Sequence, residues 1–447
     1  MQLSRKQRVR IRRTLRAASC ALLGSMGSAY ADQGDWTVDS GILYYGEQDR
    51  VTAIEPVVLA KRDFGGETFL TTRLVADTLT GATPTGAMPS SMAQSVSSPS
   101  GGSQVSIQPG TNPLDNSFED FRAAVSSTWS QPLSRLWRLD VGASYSEEHD
   151  FRSVGVNTLL ARDFNKRNTT VSLGLGYESD SIFPLGGVHV PLSQVPVPPP
   201  APPGGEDEGE HEGGGGSVPL GEIQSATDTK QVTDVLFGVT QVVNRYWIAQ
   251  LNYTYSLSTG YQNDPYKVVS VLNTDPNAAP IPVGEPLYNI YENRPDSRKR
   301  NAIYFGNKAY IGGDVVDLSY RHGWDDWGIR SDTVELRYRL SLGNGTFLQP
   351  HLRWYRQTPA DFYHRGLLDT DPVPAVVSAD YRLAGLNART VGLEWGTTRQ
   401  GRNRFALRIE RYIQSGQKDP YVDIGVQQGF DAFPDLKAVI LQVSYDF

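Results

Sequence analysis

Three places in the sequence set a histidine beside carboxylates: His322 with Asp325 and Asp326, His149 with Glu147 and Glu148, and His364 with Asp361. A histidine oriented by a carboxylate can act as a general base toward a hydroxyl or a water, which is the chemistry of hydrolysis. That chemistry needs nucleophile, base and orienting group within mutual hydrogen-bond reach, and the sequence brings no third group to any of these histidines. The chain carries no Gly-x-Ser-x-Gly, His-Glu-x-x-His or P-loop pattern. It is expected not to be an enzyme and to need no cofactor. Six histidines and a single cysteine, Cys20, argue against a structural zinc site.

A second set of charged residues is larger and more regular. Arg73, Arg122, Arg138, Asp140, Asp317, Arg321, Glu335, Arg337, Arg339, Arg353, Glu394, Arg408 and Glu410, with Asp77 among them, recur at alternate positions opposite apolar side chains. His351 falls on the same face as Arg353 and Tyr355 and reads as a hydrogen-bonded wall residue. Two kinds of chemistry follow. Opposed arginine and carboxylate rows across a wet space make a selective pore; the same residues paired wall to wall make a rigid, closed interior.

The elements that must position these charges are strands. Trp247, Ala249, Leu251, Tyr253, Tyr255 and Leu257 share one parity, and Gln250, Asn252, Thr254, Ser256 and Ser258 the other. Val171–Tyr177, Trp137–Tyr145 and Val334–Leu340 alternate in the same way. Side chains alternate between the faces of a strand, and a helix would need a period of 3.6. About sixteen strands are predicted, near 35–46, 50–62, 67–78, 118–131, 136–147, 151–164, 169–180, 230–243, 247–260, 299–311, 315–324, 329–342, 346–358, 382–396, 403–414 and 435–447, each to within about 2–4 residues. Short connections alternate with long ones at 79–117, 181–229, 261–298, 359–381 and 415–434. This sorting describes an all-β, transmembrane antiparallel up-and-down barrel with short periplasmic turns and long extracellular loops. Charges on its lipid face would cost about 2–4 kcal/mol each for Arg or Lys, so the charged rows must face inward. Trp137, Trp247, Phe347 and Phe405 open strands beside short turns, while Tyr145, Tyr177, Tyr255 and Trp395 lie near strand ends, as expected of interfacial aromatic girdles.

The two ends of the chain agree with export. Residues 1–16 carry seven positive charges and no negative ones; an apolar run, Ala17 to Gly27, and then Ser28-Ala29-Tyr30-Ala31 follow. This is the pattern of a signal peptide cleaved after Ala31, leaving 32–447 as a single domain. Cleavage would remove the only cysteine and take the formal net charge from −7 to −14. At the other end, Val439, Leu441, Val443, Tyr445 and Phe447 form one apolar face ending on an aromatic, and Tyr445 and Phe447 are expected to serve as the signal read by the barrel-assembly machinery. Within 181–229 lies a low-complexity tract of Val195–Pro203, acidic Glu206–Glu212 and Gly213–Gly216, expected to be a solvated loop tip. The loop at 79–117 is rich in Ser, Thr, Pro and Gly, and could fold inward as a plug or lie over the rim.

Several phrases occur together in order: Asp77–Ala87 (DTLTGATPTGA), Tyr145–Gly155 (YSEEHDFRSVG), Arg167–Tyr177 (RNTTVSLGLGY), Tyr304–Tyr320 (YFGNKAYIGGDVVDLSY) with His322–Ile329 (HGWDDWGI), and Leu352–Tyr363 (LRWYRQTPADFY). From Trp36 to Phe447 the chain resembles the DUF3570 family of proteobacterial outer-membrane proteins. The resemblance implies an outer-membrane barrel and carries no residue roles, and the tract at 195–216 belongs to none of these phrases. The expected location is the outer membrane of a Gram-negative bacterium, in contact with its lipid and without nucleic-acid partners. The leading expectation is a porin-like passive channel for small polar solutes, with Glu335, Arg337, Arg339 and Arg353 among its determinants. A sixteen-stranded barrel is wide enough for water unless a loop fills it. The alternative is a non-conducting barrel that docks a periplasmic or surface partner.

Overall fold

The computed structural model describes residues 36–446 apart from 49, 93, 98–103, 185, 197–221, 400–402, 418–419 and 432–434. The expected leader, Phe447 and most of the low-complexity tract lie outside the described residues. Sixteen strands form a closed barrel: β1 (Trp36–Glu47), β2 (Thr52–Asp63), β3 (Phe69–Pro84), β4 (Leu114–Ser134), β5 (Trp137–Glu147), β6 (Phe151–Phe164), β7 (Thr169–Ile182), β8 (Asp228–Asn244), β9 (Trp247–Gly260), β10 (Ser297–Ile311), β11 (Asp314–Asp325), β12 (Arg330–Gly343), β13 (Thr346–Gln357), β14 (Leu386–Arg399), β15 (Asn403–Gly416) and β16 (Leu436–Asp446). Each strand pairs antiparallel with its sequence neighbours, and β1 closes on β16 from Asp39↔Asp446 to Glu47↔Ala438. Closure leaves no unpaired edge, which a lipid environment requires of any sheet.

The alternation in sequence is the reason for the two faces. Leu74, Val141, Leu173, Phe237, Leu251, Phe305, Leu318, Leu352, Leu393 and Leu407 are exposed outward, and the positions between them turn inward. A one-residue slip would exchange the faces of a whole strand, so this pattern also fixes register. The hairpin from β12 to β13 turns through Gly343, Asn344 and Gly345, all with positive φ (83°, 51° and 76°), a conformation that favours Gly and Asn.

Three sequence expectations change. Strands β3 and β4 run several residues beyond the predicted ends, pairing Thr83↔Asp115 and Pro84↔Leu114 past an irregularity at Gly81/Thr83. Outside the bilayer nothing demands apolar alternation, so polar sequence continues the ladder unannounced. Strand β14 starts at Leu386, because Tyr381–Leu383 forms a 3₁₀ turn whose Arg382 amide donates to the Asp380 side chain. Phe347, expected in an outer girdle, is 2% exposed and faces inward, with the Arg339 guanidinium 3.6 Å from its ring centre.

The long connections all leave the same end of the barrel, and their described residues build a cap. Val268–Leu272 is the centre of a three-stranded sheet, antiparallel to Pro286–Tyr291 and parallel to Leu367–Leu368. Around it Val269, Val271, Ile290, Leu367, Val377 and Ala379 form one apolar cluster, and Met88, Leu272 and Val422 another. Trp327, Ile329, Ala360, Phe362 and Leu383 make a third. Each fully buried Val, Leu, Ile, Met or Phe among them contributes about 1.5–3 kcal/mol. The 85–92 segment joins this cap: Met88 donates its amide to Ser270, and a Cβ on Gly86 (φ 94°) would collide with the Val268 carbonyl. The sequence left this loop open between plug and rim; its described residues pack against the other loops.

Candidate functional site: the inner wall and its charged cap

Strands β8 to β13 line a cavity of about 780 Å³ on the inner face. Its wall includes Asp234 and Leu236 from β8, Thr254 and Ser256 from β9, Arg298, Arg300 and Tyr304 from β10, and Arg321 and Asp325 from β11. Thr333 and Glu335 of β12 and Arg353, Tyr355 and Gln357 of β13 complete it. Asp325 is committed to Arg298, with bonds of 2.8 and 2.5 Å, and its other oxygen accepts the amides of Trp327 and Ile329. Glu335 is held by Arg337 at 2.5 Å and by His351 Nε2 at 3.2 Å. Arg300 donates to Ser256 Oγ at 3.2 Å. Among the described residues, no carboxylate lies within ion-pair distance of Arg321 or Arg353, so the wall carries guanidinium charge that its own side chains leave unneutralised.

A second cluster ties β12, β13, β15 and β16 together. His351, 7% exposed, places Nδ1 2.8 Å from Glu410, and Arg408 lies 3.7 Å from the same carboxylate while donating to Gln442.

The other residues expected on the inner face are there, spread around the wall. Arg122 bonds Asp77 at 2.5 and 2.9 Å, Arg73 is 3.5 Å from Glu55, and Arg138 is 3.7 Å from Asp140. Asp317 pairs with Lys308 at 3.1 Å, and Glu394 with Arg404 at 3.0 Å. Of the whole set only Arg321, Glu335 and Arg353 meet in the cavity. Sequence reasoning missed Asp234, Arg298, Arg300 and Asp325. Asp234 could have been found from Val235, Phe237 and Val239, which set the parity of β8. Arg298-Lys299-Arg300 could not, because consecutive charges show no alternation.

Of the three histidine clusters of the sequence, that of His322 separates, and in that of His149 the Glu147 carboxylate pairs with Arg152 at 2.9 Å. His322 Nδ1 lies 2.9 Å from Asp332, which also accepts from Tyr320, while Asp325 faces Arg298. The His364 amide donates to the Ser378 carbonyl in the cap. Tyr445 lies in β16 opposite Phe405 and Ser40.

The cap has a charged core of its own. Arg294 bonds Glu292 at 2.7 Å and Asp380 at 2.8 Å, and Arg382 bonds Asp380 and Asp264. Lys267 donates to the Pro84 carbonyl at 2.5 Å, tying this core to the end of β3. Burial pushes the Glu292 carboxyl up to about 7, against the opposing pull of Arg294. Burial also acts on Asp380, but the Arg382 and Arg294 guanidinium groups outweigh it and hold that carboxyl well below its usual range. Lys267 and Arg382 do the same for Asp264.

Closing the cap therefore strengthens proton binding at Glu292. Between about 4.5 and 7 the closed cap holds a proton that the open chain has released. Cap stability is then highest at the acidic end of this window and falls as pH rises through 7. Limited proteolysis at pH 5.5 and pH 8 should show faster cleavage within 261–296 and 358–385 at pH 8, and Glu292→Gln should flatten that difference. Equal rates at both pH values in the native protein would refute the assignment.

Comparison with solved structures finds remote likenesses. The ferric enterobactin receptor PfeA of Pseudomonas aeruginosa is 9% identical, with a TM-score of 0.40, covering 86% of this chain and 54% of that one. CdiB of Acinetobacter baumannii is 8% identical, with a TM-score of 0.46, covering 93% and 60%. The outer membrane protein opdK of Pseudomonas aeruginosa is 11% identical, with a TM-score of 0.39, covering 92% and 98%. The chain spans about half the length of the enterobactin receptor it matches. No curated protein matches the sequence. The model of the family described as "Protein of unknown function (DUF3570)" matches residues 12–447, and the chain belongs to that family.

Proposed function

We propose that this barrel is a passive conduit for small polar solutes across the outer membrane, with the β8–β13 wall as its selective surface. The observation that carries the reading is the inner wall: a cavity of about 780 Å³ in a closed barrel, lined by charged and hydroxyl side chains. Two of its arginines are spared from wall-to-wall pairing, whereas a purely structural interior would neutralise its charges. Charged groups lining a narrow aqueous path select ions by sign, since low-dielectric walls focus their field.

The packed cap favours a second reading, in which the barrel conducts nothing and presents its loops as a rigid platform for a surface partner. Single-channel recording of the folded protein in a planar bilayer separates the two. Stable conductance steps are expected. A silent bilayer, from protein whose folding is shown by heat-modifiable gel mobility, would overturn the conduit reading in favour of docking.

A further inference from the structure

The unneutralised arginines of the cavity make a ligand site. We infer that Arg321 and Arg353 form a binding subsite for small solutes bearing two or more oxyanionic groups, carboxylate or phosphate. This deepens the conduit reading and rests on it for its place in transport, although binding itself requires no conductance.

Asp325 and Glu335 are engaged by Arg298, Arg337 and His351 at 2.5–3.2 Å, so neither is free to neutralise Arg321 and Arg353. That leaves Asp234 as the remaining carboxylate of the wall. Register sets Tyr304, Arg321, Thr333 and Tyr355 in one row across β10 to β13 (Tyr304↔Arg321, Arg321↔Thr333, Thr333↔Tyr355), with Arg353 two residues below Tyr355. With strands about 4.8 Å apart and residues about 3.3 Å apart along them, the Arg321 and Arg353 backbones are separated by roughly 12 Å. Two extended guanidinium side chains span such a gap around a small bidentate solute. Arginine's planar fork matches carboxylate and phosphate oxygens in pairs. The Ser256 and Thr333 hydroxyls line the same cavity and can donate to the solute's remaining oxygens. The volume of about 780 Å³ falls within the range of small-molecule pockets, about 300–1,000 Å³.

The test is calorimetric titration of the folded protein in detergent with citrate and, separately, with inorganic phosphate. Saturable binding of at least one anion is expected, weakened at least tenfold by Arg321→Gln with Arg353→Gln. Arg73→Gln removes an inward arginine from β3, outside the cavity, and should leave affinity within twofold. Heat-modifiable mobility confirms that each variant is folded. No saturable binding of either anion overturns the subsite, as does a double variant that binds like the native protein or an Arg73 variant that loses as much. Binding by a barrel silent in bilayers would retain the subsite and remove the conduit; conductance without saturable binding would do the reverse.

Discussion

Replacing Arg294 with Met should open the cap while leaving the barrel intact. Arg294 bridges Glu292 and Asp380, whose side chains are 1% and 0% exposed. Removing one partner of a buried ion pair costs about 3–5 kcal/mol, because the other charge stays buried without compensation. Asp380 keeps Arg382, so the uncompensated charge falls on Glu292. Glu292, already up to about 7, can take up a proton once Arg294 is gone, so the full cost is expected only well above pH 7, where at about 1.36 kcal/mol per tenfold the population of open cap should rise about 10²–10⁴-fold. Limited proteolysis reads this directly, as cleavage within 261–296 and 358–385. The hydrogen bonds of the sixteen-strand ladder do not pass through Arg294, so heat-modifiable mobility should persist. Lower pH should rescue the variant in part, since a protonated Glu292 no longer needs its counter-ion. Cleavage at the native rate would show that the cap does not depend on this ion pair.

The contrast between barrel and cap explains what the sequence disclosed. Every barrel strand announces itself, because lipid on one side and water on the other impose a period of two over ten or more residues. Trp247–Gly260 and Phe151–Phe164 coincide with the expected spans. The cap has no such constraint. Its central strand, Val268–Leu272, is five residues long, and it pairs with Leu367–Leu368, two residues almost a hundred positions away. Two residues carry no readable period, and Leu367 is no different in sequence from any loop leucine. The apolar clusters of the loops are therefore products of tertiary closure alone.

The candidate site divides along the same line. Parity alone placed Arg321, Glu335 and Arg353 on the inner face, where the cavity gathers them. It could not say which inward charges neutralise each other, because that depends on the register that sets Asp77 opposite Arg122 and on Gly392, which leaves room between His351 and Glu410 in one row. Glu410 meets His351 across 59 positions, and Arg122 meets Asp77 across 45. Phe347 misled for a related reason: an aromatic beside a turn reads as a girdle residue, yet its parity turns it inward to Arg339.

Reversing the charge of the cavity wall should invert the ion preference of the conduit, and this expectation rests on the conduit reading. Arg321→Glu with Arg353→Glu changes the local wall by four charge units and orphans no partner, since neither arginine is ion-paired among the described residues. Arg337 and Arg339 are poorer probes. Removing Arg337 frees the Glu335 carboxylate, and removing Arg339 uncovers the ring of Phe347, so either result mixes two causes. Reversal potentials across a salt gradient should move from anion-preferring in the native barrel to cation-preferring in the double variant, a change of at least tenfold in permeability ratio. The screening length is about 10 Å at 0.1 M salt and about 3 Å at 1 M, so the difference should shrink strongly at the higher concentration. A change that ignores salt would point to altered pore shape instead of altered field. An unchanged ratio at 0.1 M would remove Arg321 and Arg353 from the permeation path, because four charge units on a solute's route cannot act without effect when so little salt screens them.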